Sequence, residues 1–238
     1  GTSSTLTFDM KGSDGPLIQA VGNFDFEFFN FLELEGSFGF EKSTENIALA
    51  GGTSDGTSLD VDLLTLGGTI SDAFLGFKGG TADAIGLDLT GVEFALAFLA
   101  DPTDSTQKWF SLEAGITSAA FTGIPGVTLS AKTLGVEINQ AAADGSVVDF
   151  SSDPLSVLTG PDKTLSLDMD GADGVLLQAS GGLEISLFDF FSVSGNFALE
   201  KSTQTLPLSD GNDADVDLLT IGASEVSAFV GIEGRSEE

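Results

Sequence analysis

From Phe24 to Glu41 the chain alternates. Phe24, Phe26, Phe28, Leu32, Leu34, Phe38 and Phe40 take the even positions, while Asp25, Glu27, Glu33, Glu35 and Glu41 take odd ones. A period of two belongs to a β-strand with one apolar and one polar face, and it predicts that the even side is buried and the odd side wet. The same alternation returns in the other parity at Leu183, Ile185, Leu187, Phe191, Val193, Phe197 and Leu199. Phe29, Phe31, Phe188 and Phe190 break it by falling on the polar side. Parity is unchanged across each break. That fits either one long strand covered on both sides at its centre or a three-residue loop near Asn30 and Asp189. Asp-Gly pairs begin at Asp14, Asp55, Asp144, Asp173 and Asp210 and mark turns between antiparallel strands. No stretch sustains a helical period.

The two alternating stretches are copies. Thr5–Thr44 aligns without a gap on Thr164–Thr203, with nineteen of forty positions identical, among them the run Glu41-Lys42-Ser43-Thr44. After four residues are dropped, Val61-Asp62-Leu63-Leu64-Thr65 matches Val216-Asp217-Leu218-Leu219-Thr220. A shorter motif, Ala-Phe-x-Gly-(Phe/Ile)-x-Gly, begins at Ala73, Ala120 and Ala228. Ahead of each stands Phe-(Gly/Ala)-(Phe/Leu), at Phe38, Phe94 and Phe197. Gly91-Val92-Glu93 and Gly135-Val136-Glu137 share a further tripeptide. Self-similarity at a fixed period points to units that bury a face on their neighbours. The expected fold is all-β: an elongated antiparallel tandem-repeat assembly, either a solenoid-like stack or a row of β-sandwich units. Residues 1–80 form the first part of unit 1, 81–160 its diverged remainder, and 161–238 a partial unit 2.

Composition narrows the function. Eight Lys and Arg against 37 Asp and Glu leave a formal net charge of −29, which argues against nucleic acid and anionic membrane surfaces as partners and favours cations. At 41% hydrophobic residues the chain carries enough apolar material to fold. It has no Cys, His or Tyr, and one Trp beside 20 Phe. Thiol chemistry, imidazole bases and the commonest transition-metal ligands are therefore missing. Stacking platforms for sugars are disfavoured as well. No apolar run approaches the roughly 18–20 residues of a spanning helix, so no transmembrane segment is expected.

Candidate chemistry sits in two equivalent loops. Asp55, Asp60 and Asp62 in the first, and Asp210, Asp213, Asp215 and Asp217 in the second, alternate around a Gly turn. Such a loop can aim several oxygens at a hard cation, and calcium is the candidate. The alternative is a solvated turn whose Asp residues bond the local backbone. The spacing matches neither an EF-hand nor the glycine-rich calcium nonapeptide. Because the carboxylates recur with the repeat, a unique catalytic pair is not expected, and the chain reads as a non-enzyme.

The motifs Val216–Gly222 and Ala228–Gly234 resemble the repeat arrays of very large bacterial secreted or cell-surface, adhesin-like proteins. That resemblance implies an extended stalk, stiffened by calcium, that presents other modules outside the cell. The expected function is a structural or adhesion segment (stalk, spacer or matrix element) whose partners are neighbouring repeats, cations and its own copies. Two rivals are a self-assembling fibre or sheet subunit, and a lipid carrier whose Phe-lined face stays uncovered as a groove.

Overall fold

The computed structural model describes Gly12 and residues 15–29, 31–209 and 211–231, and all structural statements here concern those. The fold is all-β. Twelve strands are β1 (Ile18–Phe28), β2 (Leu32–Ala50), β3 (Ser58–Phe77), β4 (Ile85–Ala100), β5 (Lys108–Thr122), β6 (Val127–Gln140), β7 (Val147–Asp149), β8 (Leu155–Gly160), β9 (Lys163–Leu167), β10 (Leu176–Leu187), β11 (Phe191–Pro207) and β12 (Asp213–Val230). Ten of them form one open antiparallel sheet in the order β1-β2-β3-β4-β5-β6-β10-β11-β12, with β7 paired to β2. The remaining two, β8 and β9, make a separate hairpin.

Three-residue loops decide the ambiguity left by the Phe breaks. β1 ends at Phe28 and β2 begins at Leu32, while β10 ends at Leu187 and β11 begins at Phe191. Phe31 N–H donates to the Phe28 carbonyl at 2.9 Å, and Phe190 N–H to Leu187 at 3.0 Å. Phe29 and Phe188 take positive φ of 51° and 52°, as the tight reversal requires. An odd number of loop residues also keeps the apolar positions of both strands on one face, because Phe26 pairs with Leu34 and Phe28 with Leu32.

The repeated segments adopt one register. Gln19 stands opposite Glu41 and Ile18 opposite Lys42; Gln178 stands opposite Glu200 and Leu177 opposite Lys201. Third strands follow suit: Gly76 N–H donates to Phe31 at 2.9 Å and Gly231 N–H to Phe190 at 2.8 Å. Pairing irregularities fall at matching places, between Glu35 and Gly36 and between Ser194 and Asn196. A further one lies between Ser180 and Gly182, and Gly91, Thr133 and Glu225 have positive φ. Aligned bulges of this kind bend a sheet across its width.

The burial expectation is reversed. Ser37, Gly39, Ser43, Ile47 and Leu49 are the covered positions of β2, on the odd side, whereas Phe38 is exposed and Phe40 only half-buried. Covering is supplied by residues 146–169. The core joins Ile47, Leu49, Val61, Leu63, Leu99 and Trp109 of the sheet to Val148, Phe150, Val157, Leu167 and Met169. Glycines admit this cover. A methyl group on Gly39 or Gly67 would collide with the Leu158 carbonyl oxygen, and one on Gly160 with Ser37. Ser37 Oγ instead donates to the Thr159 carbonyl at 2.9 Å. Alternation marked two faces correctly but could not say which one the hairpin occupies.

Curvature follows from β7. It pairs with β2 through Ala48–Asp149, Leu49–Val148 and Ala50–Val147. Asn139 of β6 also donates from Nδ2 to the Val148 carbonyl at 2.8 Å. Trp109 of β5 donates from Nε1 to the Ser146 carbonyl at 3.1 Å. Strands β2 and β6 are separated by three others in the sheet, so one short strand can reach both only if the sheet curls around it. The covered side is thus the inside of the curl. The Phe-bearing side is the outside.

Candidate functional site

Two candidate surfaces emerge from the register. On the outside, one row across the whole sheet reads Gly22, Phe38, Gly68, Phe94, Ala114, Val136, Ala179, Leu199, Ile221. The adjacent outward row reads Ala20, Phe40, Leu66, Leu96, Leu112, Ile138, Leu177, Lys201, Leu219. All three Phe-(Gly/Ala)-(Phe/Leu) motifs of the sequence, at Phe38, Phe94 and Phe197, therefore project outward. Ile221 is 70% exposed, Phe77 70% and Phe29 86%. A monomer rarely exposes a contiguous apolar patch of more than a few hundred Å². This one extends over nine strands.

Inside, the row between those two reads Val21, Gly39, Gly67, Ala95, Glu113, Glu137, Gln178, Glu200, Thr220. Its first half is small and lies under the hairpin. Its second half is acidic and lies beneath the β9–β10 connection, where Asp170 caps a 3-10 turn over Gly171–Asp173 by accepting from Ala172 N–H. Burial, then the charges of Asp168 and Glu137, raise the Glu113 pKa above its ordinary value. Burial, then Asp168 and Asp173, do the same for Glu137. Asp173 is raised by burial and by Asp170 and Glu200. Among the described residues Glu113 Oε2 is buried without a hydrogen-bond partner. These carboxylates hold protons more tightly than water-exposed ones because crowding penalises their charge. The sequence offered one signal for this row, the shared Gly-Val-Glu tripeptide that contains Glu137. Two concavities of about 780 and 540 Å³ also open on this inner side, the first lined by Lys132, Ser180, Glu184 and Asn196 and the second by Asp25, Glu33, Asp72 and Asp88.

The predicted calcium residues are spread along turns and strands. Asp55 accepts from Gly51 N–H at 2.9 Å, a local turn bond. Asp60 accepts from Asn46 Nδ2 at 2.7 Å across the β2–β3 pair. Asp62 stands opposite Thr44 and Ala100. Asp213 begins β12 opposite Pro207, and Asp217 accepts from Thr203 Oγ1 at 3.2 Å. Asp210 and the Asp215 side chain lie outside the described residues. Among the described residues no three carboxylates gather as metal ligands. A different Asp-Gly turn is the best organised. Asp144 accepts from Ser146 N–H at 3.0 Å and Oγ at 2.6 Å, and from Ser54 Oγ at 2.6 Å. It thereby ties the β6–β7 turn to the β2–β3 loop. Burial opposes its ionisation, but those hydroxyls and the Ser146 N–H outweigh it and bring its pKa to about 2.

The chain matches no protein-family model, no curated protein and no solved structure.

Proposed function

We propose that the chain is a structural segment of an extended β-protein, a stalk, spacer or matrix element outside the cell, in which successive repeat units add to one continuous sheet. The carrying observation is the β6–β10 pairing. It runs from Asn139–Leu176 to Val127–Leu187 and joins the last large-sheet strand of the first sequence unit's β1–β6 run to the first large-sheet strand of the second unit. Because β10–β12 repeat the register of β1–β3, a following unit would meet β12 as β4 meets β3. Six strands, β1 to β6, separate equivalent positions. One unit should therefore widen the sheet by about 29 Å at about 4.8 Å per strand.

Small-angle scattering tests this on chains extended by one further 159-residue copy, the offset between the sequence repeats. The expected result is a maximum dimension longer by about 29 Å, less any loss to curl. A second unit that tumbles separately on a linker, shown by a bimodal distance distribution, would contradict the reading. Both edge strands pair on one side only, which supports association between copies as a second reading. Growth of mass with concentration in sedimentation of the single chain would favour it.

A further inference from the structure

We infer that the outer face of the sheet is a lipid-facing surface that takes the acyl chains of a phospholipid bilayer. This goes beyond the structural reading and rests on the fold alone.

Three observations single out lipid as the occupant. First, the register leaves no charged side chain on the outer face over a deep band, from Leu32 to Phe40 on β2 and from Ile85 to Phe98 on β4. At about 3.3 Å per residue these stretches are about 25–45 Å long. With the tilt usual for membrane strands, they fit the roughly 25 Å apolar belt of such proteins. Second, the band has unlike borders. Lys42, Lys108 and Lys201 face outward at one end, all exposed, where an ammonium can reach phosphate while its stem lies along apolar surface. The opposite end carries short loops tipped by Phe29 and Phe188, 86% and 68% exposed. Third, over this band the inward positions of β2 and β4 are polar or small, among them Glu33, Glu35, Ser37, Asp88 and Glu93, and the apolar core lies toward the lysine end. The strands thus alternate apolar-out and polar-in, the pattern of strands in a bilayer and the inverse of a soluble barrel.

Curvature discriminates against other occupants. The apolar face is the outside of the curl, so two copies pressed face to face would meet along a line rather than over an area. A single bound lipid finds no outward seat in the three described concavities, which open inward. Fluid acyl chains conform to a convex face. The net charge of −29 does not oppose this, since the acidic groups occupy the inner face, the loops and, on the outer face, the strand ends beyond the lysine border, at Asp60 and Asp62 of β3 and Asp213 and Asp217 of β12. The expectation of no transmembrane segment rested on helix-length apolar runs, and alternating strands contain none. In the hydrocarbon both free edges, β1 and β12, would need pairing, which further copies of the same register can supply.

The test uses the full chain refolded beside phosphatidylcholine vesicles, with brominated acyl chains as quencher. Trp109, the sole tryptophan, points into the inner core and serves as the internal control. Leu183→Trp places a reporter on the outer face, at a position that is 38% exposed and opposite Gly195. The expected result is flotation with vesicles and quenching of the Leu183→Trp chain several-fold above that of the unaltered chain. Leu183→Asp with Ile221→Asp should lower the floated fraction about tenfold, while circular dichroism in buffer stays that of the parent. A chain that remains in the soluble fraction, as monomer or as dimer, overturns the inference. So does flotation in which Leu183→Trp adds no quenching.

Discussion

The two three-stranded units, β1–β3 and β10–β12, share sequence and register but not surroundings. In the first, Gly39 and Gly67 lie under the Leu158 carbonyl and Ser37 donates to Thr159. In the second, the positions equivalent by sequence are Ala198, Gly222 and Asn196. Gly222 has open space above it, and Asn196 donates instead to Glu225 at 3.0 Å. Leu63 is 2% exposed in the first unit, whereas its counterpart Leu218 is only half-buried. Strand pairing is therefore set within the unit. Covering is set by one methyl group more or less on the inner face and by whether a hairpin follows to fill it.

That contrast can be broken most severely at the glycines. Gly39→Ala or Gly67→Ala must displace the β8 backbone, and a loss of about 2–4 kcal/mol is expected. Gly222→Ala should be neutral or stabilising by up to about 1 kcal/mol, since a strand glycine costs that much relative to Ala. Urea unfolding of the three variants decides it; equal losses at Gly67 and Gly222 would erase the distinction. Next in size is truncation of matching leucines. Leu63→Ala should cost about 2–4 kcal/mol and Leu218→Ala under about 1 kcal/mol, because only the first leaves a cavity.

Acid titration separates the regions more gently. Glu113, Glu137 and Asp173 have raised pKa values, so the folded chain binds more protons than the unfolded one at mildly acidic pH. Stability should rise as pH falls through their folded pKa values toward the ordinary 4.5 of Glu and 3.8 of Asp, and be lost again as pH rises back through them. Asp144 works the other way. Its pKa, lowered from 3.8 to about 2, gives stability that disappears as pH falls through that window. Glu113→Gln should flatten the upper limb alone in melts across pH. The smallest effect is expected from calcium: with Asp55 and Asp60 in local bonds, a calcium titration should move Tm no more than magnesium does. A shift of many degrees would establish the Asp loops as binding sites.

Much of the fold was legible in the residues. Period two gave the strands, and constant parity around Phe29–Phe31 left a three-residue loop as one of two options. The Asp-Gly pairs at Asp55 and Asp144 fall in turns, while Asp173 ends a 3-10 helix and Asp14 and Asp210 lie outside the described residues. The side that is covered was not legible. Phe38 and Leu34 look like core in any local window, and only the docking of residues 146–169 onto Gly39 and Gly67 shows otherwise. That contact joins Leu158 to positions 119 and 91 residues away, through backbone rather than side-chain pattern. The acidic row escaped for a similar reason: Glu113, Glu137 and Glu200 lie on three strands and meet only through cross-strand register.

The central claim, that the Phe-bearing side faces outward, is tested most directly by thiol labelling, since the chain has no native cysteine. Single replacements Phe38→Cys, Leu66→Cys and Leu183→Cys report the outer face, and Ser37→Cys, Thr65→Cys and Ser111→Cys the inner one. In buffer without lipid or detergent, the outer set should react with maleimide at the rate of a free thiol and the inner set many times more slowly. Rapid reaction at the inner positions with protection of the outer ones would contradict the account.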